Sequence, residues 1–406
     1  MSYGMRLGPG PKGVMMRFVF TSTHLSGHLL PLLRYGQALR DRGQEVRFAS
    51  TEAARPALEK AGLELFVVDE PPEEDTKAVW ERLDAADAHG ALLVAFGELF
   101  GGITPKAAMP RVMTLIEEWQ PDLILRECAA PVGLVAAQKA GLKSARIGIM
   151  SDQFYDTHRD VYFSAIDRLR VEAGLSPDAG AGWAAEQAFT SFPEAVDRFA
   201  LDDGQHEPLR VRPLGSATKA SAEMPAWKPT DGRPLLYITL GTVSGRSERV
   251  RKTYLRALEA VSTLPVQALL TTGPIMQHEM LGTIPDNVFV ETFIPQAEVF
   301  EHASAVVNHG GSGTFIGALA AGLPQVVVPL FADQPANARA LEASGAGISV
   351  YDSEVETLRA AMERVLVDEK IRAAAARVAA EMAGMRSMDE AVDKIEALAT
   401  DARAPH

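Results

Sequence analysis

The chain has 406 residues, of which 47% are apolar and 23% charged, and it carries a formal net charge of -13. This length exceeds one ordinary core and predicts two domains of roughly 200 residues, while the composition excludes a disordered or fibrous chain. The acidic balance argues against a non-specific nucleic-acid binder, which needs clustered Lys and Arg, and a single cysteine, Cys128, excludes an internal disulfide and suits a reducing, cytoplasmic compartment.

The leader MSYGMRLGPGPKGVM (1–15) lacks the apolar stretch of a signal peptide; its Gly and Pro content predicts a disordered tail, with Met15 or Met16 as a candidate start. No run approaches the 18 or more uncharged apolar residues expected of a membrane span. RFVFT (17–21) reads as a strand, followed by STHLSGH and the helical LLPLLRYGQALRDRG, in which Pro31 fits a first turn and Gly43 a stop. EVRFAS, a helix from about Glu52, and LELFVV continue the alternation, as do PDLILREC, GLVAAQKAG and SARIGIM near 121–150. This grammar predicts a parallel sheet covered by helices on both faces.

Segments 70–110 and 151–200 are helix-prone and rich in aromatics, among them Trp80, Phe96, Phe100, Phe154, Tyr155, Tyr162, Phe163 and Trp183. Packing is the first expectation for each, with a few lining an apolar pocket as the functional one. From 202 to 233 Pro, Gly and charge break the pattern, marking the exit from the first domain. PLLYITLGT then restarts the alternation, and VQALLTT, NVFVETF, SAVVNH and QVVVP follow as strands. The expected divisions are an N-terminal domain at 16–215, a linker at 216–233, a second domain at 234–388, and a terminal amphipathic helix at 389–406. That helix either closes the second domain or crosses back to the first.

In AVVNHGGSGTFIGALAAG a helix must begin near Ser312 to Thr314. Glycines let backbone N–H groups approach an oxyanion, and a helix start favours negative charge. A diphosphate is the obvious ligand, with His309 and the Ser312 and Thr314 hydroxyls as further donors. For the glycines alone, a tight turn with an N-cap is an equal alternative. No Lys follows, so this is not a Walker A loop.

The wider block FIPQAEVFEHASAVVNHGGSGTFIGALAAGLPQVVVPLFADQPANA resembles the nucleotide-sugar signature of family-1 glycosyltransferases. The aromatic-x-Pro-Gln, the His-x-Gly loop, the Gly-x-Pro and the Asp-Gln before an Asn all match in order. SGHLLPLL and TLGT (239–242) match two further landmarks. The compact HGGSGT, GLPQVVVP and DQ resemble bacterial enzymes that decorate antibiotics and other natural products. The resemblance implies an α/β, GT-B architecture: two doubly wound Rossmann-like domains facing across a cleft, with the C-terminal helix crossing back.

Carried over by residue, the resemblance implies that Phe293 stacks on the base and Ile294 meets the base edge. Thr242, His309, Gly310, Gly311, Ser312, Gly313 and Thr314 would hold the diphosphate, and Asp333 and Gln334 the sugar hydroxyls. Many relatives place a ribose-binding glutamate where this chain has Gly317. Without that carboxylate a deoxyribose leaves fewer unpaired polar groups, which favours a thymidine over a uridine diphosphate donor. The family pattern also singles out His28 as the general base, at a helix start that suits a neutral proton acceptor. Glu127, at the end of a nearby parallel strand, would orient it as the Asp orients the His of a Ser-His-Asp triad. His28 as a helix cap, and Glu127 in a salt bridge with Arg126 or a residue of the linker, are the structural alternatives. His24, Phe96 and Phe154 are candidate acceptor contacts.

The resemblance thus implies a hexosyltransferase that is metal-independent and inverting. The expected co-substrate is a TDP-sugar, with no other cofactor, and the expected partner is an apolar small-molecule acceptor. Neither nucleic acid nor a membrane is expected, and the chain is expected as a monomer or homodimer. Alternatives are a UDP-sugar donor, C- or N-transfer on the same fold, and a catalytically silent nucleotide-sugar-binding helper. A nicotinamide oxidoreductase is disfavoured, because no acidic residue follows a glycine fingerprint in the first domain.

Overall fold

The computed structural model describes residues 15–403, apart from 87, 199–205, 214–226, 230 and 242–246. Its first sheet contains β1 (Arg17–Thr21), β2 (Glu45–Ser50), β3 (Glu64–Val67), β4 (Leu123–Glu127), β5 (Ser144–Ile147), β6 (Gln187–Thr190) and β7 (Leu209–Arg210). The second contains β8 (Leu235–Thr239), β9 (Gln267–Thr271), β10 (Val288–Glu291), β11 (Ala303–Asn308), β12 (Gln325–Val327) and β13 (Gly347–Ser349). The strand orders are β3-β2-β1-β4-β5-β6-β7 and β10-β9-β8-β11-β12-β13. Every pairing among the described strands is parallel. Strands β4, β8 and β9 are buried at every position, as expected where helices cover both faces of a sheet.

Each sheet reverses its direction of growth once, between β1 and β4 and between β8 and β11. At such a switch the loops leaving the carboxyl ends of two neighbouring strands part and open a crevice. His28 follows β1, Glu127 ends β4, Gly241 follows β8 and His309 follows β11. The topology therefore collects residues that are distant in the chain at two facing crevices.

The helix after β1 spans Ser26–Asp41 and starts earlier than Pro31 implied. His28 lies inside its first turn, and Pro31 sits one turn in. Its apolar face, Leu29, Leu32, Leu33, Tyr35 and Leu39, is buried in the first core, enough to outweigh one missing backbone donor. A second departure is β7, a two-residue edge strand on β6 inside the stretch that reads as irregular. Trp227, from the same stretch, is buried against β8 and β9, and its carbonyl accepts from Gln267 Nε2.

Residues 90–119 form one helical run that is long and apolar enough, by length and composition alone, to cross a membrane. It carries Glu98 and Lys106 and buries Phe96, Leu99, Ala108, Val112, Leu115 and Ile116 within the N-terminal domain. Residues 95–103 of this run are wound as a π-helix.

The last helix, Met388–Arg403, crosses to the first domain. Ala391, Val392, Ile395 and Ala399 enter that domain's core. Arg42 holds its outer face through the Asp389 carbonyl at 2.9 Å and the carboxylates of Asp393 and Glu396. The two crossing segments touch where Arg212 N–H donates to the Arg386 carbonyl (2.8 Å) and Arg386 N–H to the Arg210 carbonyl (3.0 Å). Beside them, Phe192 and Val196 pack against Phe315, Leu319, Leu341 and Met382 of the second domain.

Candidate active site

At the first switch, His28 Nδ1 lies 3.2 Å from Glu127 Oε1. Glu127 is fully buried, and its other oxygen accepts from the Ala129 backbone N–H. A carboxylate can only accept, so Nδ1 carries the proton of this bond and Nε2 is left as the basic nitrogen. The Phe100 ring covers His28, with centroids 5.1 Å apart. Arg126 does not pair with the Glu127 carboxylate. It is fully buried, forms a bidentate pair with Glu186, and lies over the Trp183 ring.

At the second switch the glycine loop and the Asp-Gln motif form one hydrogen-bonded unit. Ser312 Oγ donates to Asp333 Oδ2 at 2.8 Å, and Asn337 Nδ2 spans the same oxygen (3.0 Å) and the Gly310 carbonyl (2.8 Å). Asn308 Oδ1 accepts from Gly310 N–H, and its amide donates to Gln325. The helix Ser312–Ala320 has no side-chain cap at its start, which leaves its first backbone donors for an anion. Gln296 Nε2 donates to Thr314 Oγ1 at 2.7 Å, so the Thr314 proton is free to point elsewhere. Gln334 Oε1 caps the backbone N–H groups of Leu330 and Phe331, so its amide nitrogen is the group it can offer a sugar hydroxyl.

His309 is wedged between glycines. A Cβ on Gly241 would meet its Nε2 at 2.8 Å, and one on Gly311 at 2.4 Å. Burial pushes its pKa down to about 4, so at neutral pH the ring is uncharged, and its Nδ1 has no partner among the described residues. Burial raises the Asp333 carboxyl, while the hydrogen bonds from Ser312 and Asn337 oppose that rise. His28 is near enough across the cleft to act on that carboxyl, so the two crevices open toward one another.

Phe293 is 65% exposed and Ile294 is half-buried against the second core. Thr242 lies outside the described residues. Phe96 and Phe154 do not reach open space: both are buried in a ring cluster with Tyr155 and Tyr162. Phe100 and Trp80 instead line a cavity of about 160 Å³ beside β1, together with His24, Leu25 and Leu99. His24 Nδ1 is 3.0 Å from Thr51 Oγ1. Sequence reasoning missed Asn308, Gln325 and Gln296 as supports of the loop. The available signal was amides on or beside apolar strands: Asn308 and Gln325 are fully buried, and a buried amide needs partners.

The description "Erythromycin biosynthesis protein CIII-like, C-terminal domain" belongs to the family model that matches residues 256–398. The aclacinomycin-T 2-deoxy-L-fucose transferase of Streptomyces galilaeus is 28% identical over 442 residues, covering 96% of this chain and 97% of its own. The glycosyltransferase SnogD from Streptomyces nogalater has 27% identity and a TM-score of 0.75, covering 95% of this chain and 99% of its own. The glycosyltransferase VinC in complex with dTDP shares the fold, at 21% identity and a TM-score of 0.75, over 95% of this chain and 100% of its own. With two parallel sheets, a crossing terminal helix and a glycine loop tied to an Asp-Gln pair, the chain is similar over almost its whole length to bacterial natural-product glycosyltransferases of GT-B fold.

Proposed function

We propose that the protein is an inverting glycosyltransferase that moves a deoxysugar from a thymidine diphosphate donor to a hydroxyl of an apolar natural-product acceptor. The carrying observation is the His28–Glu127 pair, 3.2 Å apart at one switch, with the glycine loop and Asp333 joined by a hydrogen bond at the other. The acceptor enters the cavity beside β1 and presents its hydroxyl to His28 Nε2. That nitrogen takes the hydroxyl proton as the oxygen attacks the anomeric carbon and the bond to the diphosphate oxygen breaks. One displacement of this kind reverses the anomeric configuration. Glu127 holds the ring and stabilises the imidazolium as it forms.

The departing diphosphate gathers charge at the uncapped start of Ser312–Ala320, where oriented donors are most effective. His309 contributes there as a neutral hydrogen-bonding ring, and no divalent ion is invoked. Asp333 keeps Oδ1 for a sugar hydroxyl, because Oδ2 is taken by Ser312 and Asn337.

Preference for the thymidine donor is supported by Gly317. A Cβ there would meet Phe300 Cε2 at 2.8 Å, so the ring occupies space that a ribose-binding side chain would need. VinC, crystallised with dTDP, shares the fold. Titration of the protein with TDP and UDP is the direct test. TDP should bind more tightly, and tighter UDP binding would overturn the donor assignment. The stereochemistry is read from the anomeric proton coupling of the product, where retention would sink the single-displacement mechanism.

A further inference from the structure

The cavity beside His24 is apolar within and acidic at its mouth. Val68, Leu99, Phe100, Ala108, Val112 and Val132 form its walls, and no Lys or Arg is among its lining residues. Its carboxylates are Asp69 and Glu70, directly after β3, both exposed. Among the described residues neither has a hydrogen bond or an ion pair. Glu73, Glu74 and Asp75 follow in the first turn of the helix Glu73–Ala85.

The nearby cations are occupied or turned away. Lys77 lies 3.9 Å from Glu81, Arg82 pairs with Glu98, and Lys106 pairs with Glu172. Arg111 is turned toward the Val67 carbonyl and the Phe66 ring. The mouth therefore carries uncompensated negative charge over a low-dielectric interior, an arrangement that concentrates cations. Trp80, exposed at the same mouth, adds an aromatic face of the kind that attracts ammonium groups.

Thr23 supplies an independent sign of a ligand. It lines the cavity at 8% exposure, and among the described residues its hydroxyl has no partner. The neighbouring hydroxyls are satisfied, Ser22 by the Thr23 carbonyl and Thr51 by His24. A buried hydroxyl without a partner costs free energy, and an oxygen of a bound molecule would supply the missing bond.

We propose that the cavity selects an apolar acceptor bearing a protonated amine. The ammonium sits at Asp69, Glu70 and Trp80, and an oxygen of the ring system meets Thr23. This rests on reading the cavity as the acceptor site of the transferase. Charge of this sign excludes carboxylated acceptors of the same shape, so discrimination comes from repulsion as well as attraction.

The test uses three matched probes: 6-(aminomethyl)-2-naphthol, 6-(hydroxymethyl)-2-naphthol and 6-hydroxy-2-naphthoic acid. Calorimetric titration of the full chain should show the amine binding about fivefold or more tighter than the alcohol, with the acid weakest. The preference should shrink between about 0.05 and about 0.5 M NaCl. In a D69N/E70Q variant, amine and alcohol should bind within about twofold of each other, with TDP binding reporting that the fold is intact. Thr23→Val should weaken amine and alcohol alike and leave their ratio unchanged. Equal binding of the three probes, no binding of the amine, or an unchanged preference in D69N/E70Q would each overturn the proposal. If the amine is selected but no naphthol receives sugar from a panel of TDP-sugars, the cation-selective cavity stands and its reading as the acceptor site fails.

Discussion

Ser312 and Asp333, from two separate motifs, meet through a 2.8 Å hydrogen bond, and Asn337 grips the same carboxylate oxygen. The glycine loop and the sugar clamp therefore move as one body, and one oxygen of Asp333 is reserved for structure. Asp333→Asn should lower kcat/KM for the donor ten- to a hundred-fold, about 1.5–3 kcal/mol for a hydrogen bond to a charged group. TDP alone should bind within about threefold of the parent, because it lacks the sugar. Parallel kinetics and calorimetry check this, and an equal loss in both would relocate Asp333 to the diphosphate.

His28→Ala should reduce kcat by about 10²- to 10⁴-fold, the usual contribution of a positioned general base, with little change in TDP affinity. Glu127→Gln keeps the side-chain shape and should give a smaller loss. Single-turnover rates separate the two, and sugar transfer by His28→Ala at the parental rate would remove the base assignment.

His309 ties stability to pH. Its folded pKa of about 4 lies below the unfolded value of 6.5, so the unfolded chain takes up the proton first. The stabilisation from the neutral buried ring is fully present above the unfolded pKa. About 3 kcal/mol of it is lost as pH falls from 6.5 through 4. Asp197 acts oppositely. Burial and the charge of Asp152 raise its carboxyl from 3.8 to about 6, so its contribution is lost as pH rises through that window. A His309→Gln variant isolates the first effect: the Tm gap between parent and variant should narrow on acidification from about pH 7.5 to about pH 5. A constant gap would show that the ring is not held neutral.

Gly317→Glu should destabilise by roughly 1–3 kcal/mol, the usual cost of overpacking a filled site, because the new side chain meets Phe300. Removing the obstruction in a Gly317→Glu/Phe300→Ala double variant should recover stability and narrow the preference for TDP over UDP. Thermal melts and nucleotide titrations read the two effects separately.

Chelation should leave transfer unaffected. Turnover in excess EDTA equal to turnover with added Mg²⁺ is the expected result, and a strong loss with EDTA would require a metal at the diphosphate.

Local chemistry carried the sequence reading well where it was distinctive. Apolar runs such as LLYIT and QALLT, set in a strand-helix alternation, read as buried parallel strands and are so, and HGGSGT reads as a helix start and is one. Where several partners compete for one residue, local pattern is silent. Phe96, Phe100 and Phe154 are alike in the sequence, yet Phe100 alone of the three lines the cavity, while Phe96 and Phe154 are buried against each other in the ring cluster. Pro31 suggested a helix start, but burial of Leu29 favours beginning earlier, at Ser26. Strand β7 escaped notice because two residues have no periodicity. Arg126 beside Glu127 suggested an ion pair, while alternation along β4 sends neighbouring side chains to opposite faces and Arg126 to Glu186.

The chain passes between its two halves twice, and the passages are hydrogen-bonded to each other at Val211 and Arg386. A single tether would let the halves drift in any direction, whereas two strands pinned at a common point act like the knuckles of a hinge. Parting the cleft then means swinging about that line. Sliding or twisting would have to break the pin or strip Ala391, Val392 and Ile395 from the first core.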